Sequence, residues 1–185
     1  QWYARTGVET SRVIAFGSTS IDVKRGSADA DERELAARLR EGEQRLFQTA
    51  SKREVAATVL RPTLIYGAGR DRNLNRIAQV ARRFGRIVLP RDAKGLRQPV
   101  HVHDLADAAF HCLDAAATHG RTYALPGGET LEYREMAARL LAALQPPPKL
   151  HEVPGGVFNV VLAAAHAAGF ALDFNEAAVK RMRSD

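Results

Sequence analysis

Three short stretches of this sequence carry side chains suited to chemistry. Arg12-Val13-Ile14-Ala15-Phe16, apolar and β-branched, runs into Gly17-Ser18-Thr19-Ser20, the pattern of a buried parallel strand stopping at a polar turn. Chemistry belongs at such a turn, and the competing use of its hydroxyls is to satisfy the turn's own backbone. Arg70-Asp71-Arg72-Asn73-Leu74 opens a helical pattern. A helix N-terminus beside arginine suits a phosphate, and the alternative is a capped helix with exposed arginines. Gly95 to Ala106 contains Arg97, a rigid fork of donors, and then His101-Val102-His103-Asp104. Two histidines alternating on a strand would share a metal only if both pointed one way, and no third or fourth ligand is evident, so no metal site is expected. The sequence has no nucleophile elbow, P-loop or paired zinc motif.

The elements that must position these residues can be read from periodicity. Residues 31 to 52 form a helix, with Asp31 as cap, Glu34 completing a capping box, and Leu35, Leu39, Leu46 and Ala50 along one face. Ala57-Thr58-Val59-Leu60 is a second buried strand, halted by Pro62. Tyr66-Gly67-Ala68-Gly69 turns the chain into a helix over 73 to 84 with Ile77, Ala78, Ala81 and Phe84 recurring, and 86 to 89 is strand-like. Asp104 is placed to cap a helix running to about Ala117. Arg121 to Leu125 is a strand, and Thr130 can cap the helix that carries Tyr133, Met136 and Leu140 until Pro146-Pro147-Pro148 breaks it. Strands alternating with helices imply βαβ units and a mostly parallel sheet.

Val157 to Leu172 is apolar but interrupted by Asn159, His166 and Gly169. It falls short of the roughly 20 residues a membrane span needs and reads as a buried helix, with an interfacial one as the alternative.

A chain of 185 residues, 45% hydrophobic and 26% charged, can bury one sizeable core and is not a disordered polymer. The net charge of +6 admits an anionic partner. The arginines at 33, 38, 40 and 45 alternate with Glu32, Glu34, Glu41 and Glu43, however, which reads as a solvated helix face and not a nucleic-acid surface. The single cysteine, Cys112, fits a reducing, cytoplasmic setting. No signal peptide is readable, and the sequence starts at Gln1.

Leu60-Arg61-Pro62-Thr63-Leu64-Ile65-Tyr66-Gly67, followed by Gly95-x-Arg97-x-x-x-His101-Val102-x-Asp104-Leu105-Ala106, resembles the second half of an extended short-chain dehydrogenase/reductase of the NAD(P)-dependent epimerase/dehydratase group. The resemblance covers most of residues 10 to 145. It implies an α/β, Rossmann-like fold: the C-terminal portion of a dinucleotide-binding domain in 1–67, and a small α/β substrate-binding region intermixed with remaining Rossmann elements in 68–185. By the same resemblance Thr19, with Ser18 beside it, hydrogen-bonds the reacting oxygen. Gly17, Pro62 and Thr63 lie against NAD or NADP, and Asn73 and Arg97 hold the nucleotide part of a small-molecule substrate such as a nucleotide sugar. A homodimer is admitted. The family's Tyr-x-x-x-Lys pair, in which lysine lowers the tyrosine pKa for proton transfer, is not in the sequence; Leu35 and Leu39 stand about where it belongs. Nor does a Gly-rich dinucleotide turn follow an early strand, so an N-terminal half of the family fold is expected to be missing from this chain. The expected activity is oxidation or reduction of a sugar at a bound nicotinamide, with a non-catalytic dinucleotide-binding accessory, sensor or assembly protein as the alternative.

Overall fold

The structure is a computed structural model that describes residues 2–69, 71, 73–167 and 176–183. In chain order its elements are α1 (Trp2–Arg5), β1 (Arg12–Phe16), α2 (Ser20–Val23), α3 (Ala30–Lys52), β2 (Ala56–Pro62), β3 (Leu64–Tyr66), α4 (Asn73–Phe84), β4 (Arg86–Pro90), β5 (Leu96–Arg97), β6 (Pro99–His101), α5 (Val102–Asp114), a 3-10 turn (Ala116–Thr118), β7 (Arg121–Leu125), β8 (Leu131–Glu132), α6 (Tyr133–Ala142), β9 (Lys149–Val153), α7 (Gly155–Ala167) and α8 (Glu176–Arg183). The fold is α/β with mostly parallel pairing, as expected. The chain divides into two compact units, residues 1–65 with 99–128, and residues 66–98 with 129–185.

The first unit is built on a parallel sheet in the order β1-β2-β7, with Phe16 opposite Leu60 and Pro62 opposite Leu125. The central strand β2 is apolar and nearly continuously buried, as a strand covered on both faces must be. Alternation assigns its faces. Val59 and Arg61 point toward α3, where Arg61 meets Glu43. Thr58, fully buried, points the other way and donates to Thr118 O at 2.5 Å beyond the end of α5. Arg12 ties that second layer down: its Nε and Nη2 reach Cys112 O at 3.0 and 2.7 Å, and Nη2 also reaches Thr58 Oγ1 at 2.8 Å. A guanidinium on the Cys112 carbonyl, in the last turn of α5, satisfies an orphan acceptor and complements the helix dipole.

Several details depart from expectation. The cap of α3 is Asp29, whose carboxylate accepts from Asp31 N at 2.9 Å, and not Asp31; the helix begins one residue earlier than the capping-box pattern suggested. Leu35, expected on the buried stripe of α3, is 40% exposed, and Ala36 and Ala50 are buried instead. Helix α5 starts at Val102 and is capped by His101 Nδ1, which accepts from His103 N at 3.3 Å; Asp104 lies inside the first turn. Glu43 and Glu32 are not part of a solvated face: their side chains are 12% and 15% exposed and paired to Arg61 and Lys24.

In the second unit β4 and β9 are parallel, with Ile87 opposite Leu150, and β5 pairs antiparallel with β8. Helix α4 buries Leu74, Ile77, Ala78 and Ala81, while Phe84, expected in the same stripe, is 44% exposed at its end. Thr130 does not cap α6: β8 intervenes, and Glu132 precedes the helix without a side-chain cap. The expected burial of α7 holds for Phe158 but not for Val157, Val160 and Val161, all exposed; residues 168–172 of that expectation lie outside the described residues. Among the described residues no helix is long and apolar enough to cross a membrane.

Candidate functional site

In open parallel sheets ligands bind beyond the carboxyl ends of the strands. In the first unit that edge is formed by the turns after β1 and β2, and five of the sequence-predicted residues fall there: Gly17, Ser18 and Thr19 after β1, and Pro62 and Thr63 at the end of β2. The turn is held by the ladder continuing beyond the strands. Gly17 N donates to Leu60 O at 2.8 Å, and Thr19 N donates to Pro62 O at 3.2 Å. Proline lacks a donor but keeps its acceptor, so Pro62 can end the strand and still anchor the neighbouring turn.

Both candidate hydroxyls have local partners. Thr19 Oγ1 donates to Pro62 O at 3.3 Å, and Ser18 Oγ accepts from Ser20 N at 3.1 Å. The Thr19 bond is long and keeps both lone pairs of its oxygen free as acceptors, whereas Ser18 is committed to the start of α2. Thr63 N donates to Leu125 O at 3.3 Å, which carries the edge across to β7.

Charged residues underpin this turn, and sequence reading missed their arrangement. Arg61 leaves β2 between the carbonyls of Leu60 and Pro62, and its Nε and Nη2 meet the Glu43 carboxylate at 3.0 and 2.5 Å. Its Nη1 reaches Asp22 Oδ2 on α2 at 3.2 Å. The hydrogen bond to Glu43, with Asp22 adding to it, holds the guanidinium pKa above its ordinary value. A charged residue in the middle of the buried run Thr58-Val59-Leu60-Arg61-Pro62 was the available signal, since such a group needs a partner. The partner lies 18 residues upstream on another element, beyond the reach of local pattern. A cavity of 270 Å³ adjoins the cluster on the α3 side of β1, lined by Ala15, Gly17, Leu39, Glu43, Leu46 and Val59 among others.

The remaining predicted residues, Asn73 and Arg97, belong to the second unit. Asn73 is exposed in the first turn of α4, and Asp71 places a carboxylate at that helix start, accepting from Asn75 N at 2.9 Å. Arg70 and Arg72 lie outside the described residues. Arg97, on the short strand β5, is half-buried; its guanidinium lies 5.9 Å from the ring centre of Tyr133, and its Nη1 donates to Leu96 O. Tyr133 is 9% exposed, and burial, opposed by the nearby Arg97 charge, pushes its phenol up to about 12. The buried ring lies at the outer limit of cation–π reach of the guanidinium, a neighbour for Arg97 that sequence reading did not find.

The His101 and His103 rings stand edge to face at 4.8 Å, and His101 Nδ1 is engaged as a helix cap. Among the described residues no three His, Cys, Asp or Glu side chains are gathered as a metal site.

At the first unit's strand edge the Thr19 hydroxyl, donating to Pro62 O, and the Thr63 backbone N–H, donating to Leu125 O, flank the buried Pro62, a polar edge compatible with the amide end of a dinucleotide. Comparison with known proteins agrees on the class. A 2-alkyl-3-oxoalkanoate reductase of Stenotrophomonas maltophilia (strain K279a) is 35% identical over 109 residues, 57% of this chain and 32% of the relative. The chain thus spans about a third of the length of that curated relative. Among solved structures, a UDP-N-acetylglucosamine 4-epimerase from Methanobrevibacter ruminantium M1, in complex with UDP-N-acetylmuramic acid, superposes with a TM-score of 0.61 at 12% identity, over 78% of this chain and 50% of that one. A UDP-glucuronic acid 4-epimerase from Bacillus cereus, in complex with UDP-glucuronic acid and NAD, superposes at 0.58 and 14% identity, over 80% and 51%. At such identities these likenesses establish the fold. The model of the NAD dependent epimerase/dehydratase family matches residues 30–125, just over half of the sequence, and the chain belongs to that family.

Proposed function

We propose that this chain is part of an NAD(P)-dependent oxidoreductase or epimerase that works on a hydroxyl or carbonyl group of a nucleoside-diphosphate sugar. The observation that carries the reading is the Thr19 turn, anchored through Pro62 O at the carboxyl ends of two parallel strands. When bound, the nicotinamide supplies or accepts the hydride at the substrate carbon. The protein's share is to hold and neutralise. Thr19 Oγ1, turned away from its long bond to Pro62 O, donates to the substrate oxygen on which charge develops, and Thr63 and Pro62 form the wall beside it. Within the second unit Arg97, beside the Tyr133 ring, is the residue suited to a diphosphate, with Asn73 as a further polar group.

A second reading is favoured by one feature of α3. Leu35 and Leu39 stand about where the family carries tyrosine and lysine, and Leu39 lines the cavity beside Gly17, so α3 offers neither phenol nor ammonium there. A family member so equipped serves as a dinucleotide-binding accessory or sensor without turnover.

Calorimetry on the full-length protein decides first: binding of NAD or NADP at micromolar Kd is expected, and no binding of either would remove both readings. Turnover is then assayed with UDP-sugars and, because of the named relative, with a 3-oxoalkanoate and NADPH. Thr19→Ala should lower kcat by about 10²-fold, the usual scale for one transition-state donor, with cofactor Kd unchanged. A kcat indifferent to Thr19→Ala would remove Thr19 from the chemistry, and the complete lack of turnover with intact dinucleotide binding would favour the second reading.

A further inference from the structure

We propose that Glu43 and Arg61 are positioning residues, a clamp that sets the Thr19 hydroxyl by bracing the turn on both flanks. This deepens the reading above and rests on it for its catalytic consequence. On the near flank the contact is steric. A Cβ built on Gly17 would stand 2.5 Å from Glu43 Oε1, 3.2 Å from Val59 Cγ1 and 3.4 Å from Arg61 Cγ. The Glu43 carboxylate therefore lies directly against the bare Cα of Gly17, two residues before Thr19. On the far flank the contact is ionic: Arg61 Nη1 holds Asp22, three residues after Thr19, at 3.2 Å. One guanidinium joins the two, with the Glu43 pair largely shielded from water at 21% and 12% exposure and the Asp22 arm open at 68%.

The backbone geometry shows why such a brace is needed. Between Gly17 N and Thr19 N the turn hangs from two carbonyls of β2, those of Leu60 and Pro62. These bonds fix its height above the sheet and leave it free to tilt about the line joining them. Glu43 on one side and Asp22 on the other remove the tilt, and Arg61, rooted between the two carbonyls, is the part common to both. Lysine could not replace it, because a point charge on a flexible stem cannot engage two carboxylates in fixed directions. A hydroxyl displaced by about 1 Å is enough to cost on the order of 10²-fold in rate.

The test uses the full-length protein, with Glu43→Ala and Arg61→Lys measured by amide hydrogen exchange and by kinetics. Exchange at Thr19, Ile21 and Asp22 should quicken at least about tenfold as local opening grows, while amides of Val13 to Ala15 and Ala57 to Val59 stay protected. Glu43→Ala should lower kcat by about tenfold or more with cofactor Kd within twofold, and its loss should not add to that of Thr19→Ala. Gly17→Ala should be damaging in the parent and clearly less so in the Glu43→Ala background, where the 2.5 Å clash is gone and only the tight contacts to Val59 and Arg61 remain. Unchanged exchange over 19–22, full additivity with Thr19→Ala, or a Gly17→Ala effect undiminished without Glu43 would each overturn the clamp. Were the parent protein to turn over no substrate, the functional reading would fall, and exchange together with the Gly17 rescue would still decide the clamp.

Discussion

Tyr133 shows how one buried ring serves both packing and a charge. Its phenol is pushed up to about 12, first by burial and with Arg97 pulling the other way. The folded state thus favours the neutral form more than the unfolded chain does, where tyrosine titrates near pH 10. The sign follows: this contribution is complete below about pH 10 and is lost as pH rises toward 12, and two pKa units correspond to about 3 kcal/mol. Urea midpoints measured at pH 9 and 11.5 should fall in the parent and fall less in Tyr133→Phe. Equal slopes would show that the ring does not ionise against the fold. Tyr133 was visible in the sequence only as one apolar position on a helix. Its pairing with Arg97, 36 residues away, follows from β5 lying beside β8.

At the scale of elements, helices and strands were legible because their periodicities are local, and their ends were less so because several side chains compete for each cap. Asp29 and Asp31 both precede the apolar run of α3, and the choice of Asp29 depends on which backbone N–H groups are left orphaned. For α5 a histidine took the cap that its neighbouring aspartate was expected to fill, since β6 delivers His101 to that position in extended conformation, at φ −77° and ψ 146°. Where elements meet closely, a glycine can be decisive. A Cβ on Gly127 would fall 1.9 Å from Pro99 O and 2.6 Å from Pro99 C, backbone atoms with no side-chain freedom to yield. Gly127→Ala should therefore cost at least about 3 kcal/mol, at the upper end for overpacking, and a urea midpoint within error of the parent would refute the close approach.

For the whole molecule, the charge of +6 suggested anionic partners, yet many of its arginines are committed. Arg38 pairs with Glu34 at 3.0 Å, Arg45 with Glu41 at 2.5 Å and Arg139 with Glu135 at 2.7 Å, while Arg61 and Arg183 are held by Glu43 and Asp92. Cations engaged this way release few counterions on meeting a polyanion. A duplex DNA should accordingly show no shift at 0.15 M salt, where screening acts over about 8 Å, and micromolar retention there would contradict this.

The alternation of strand and helix, the family, and the placing of Gly17, Thr19, Pro62 and Thr63 at or just past strand ends are legible in the residue order alone, because each depends on short-range pattern: hydrophobic period, turn residues, a motif read in order. What holds those residues emerges only when the chain is folded. That Arg61 would find Glu43 and Asp22 on two different helices, that Gly17 would leave room for a carboxylate, and that Arg12 would close the last turn of α5 are consequences of β1 and β2 lying parallel in one register. Buried charges choose partners by distance in space, and a one-dimensional pattern records that distance only after the chain has folded.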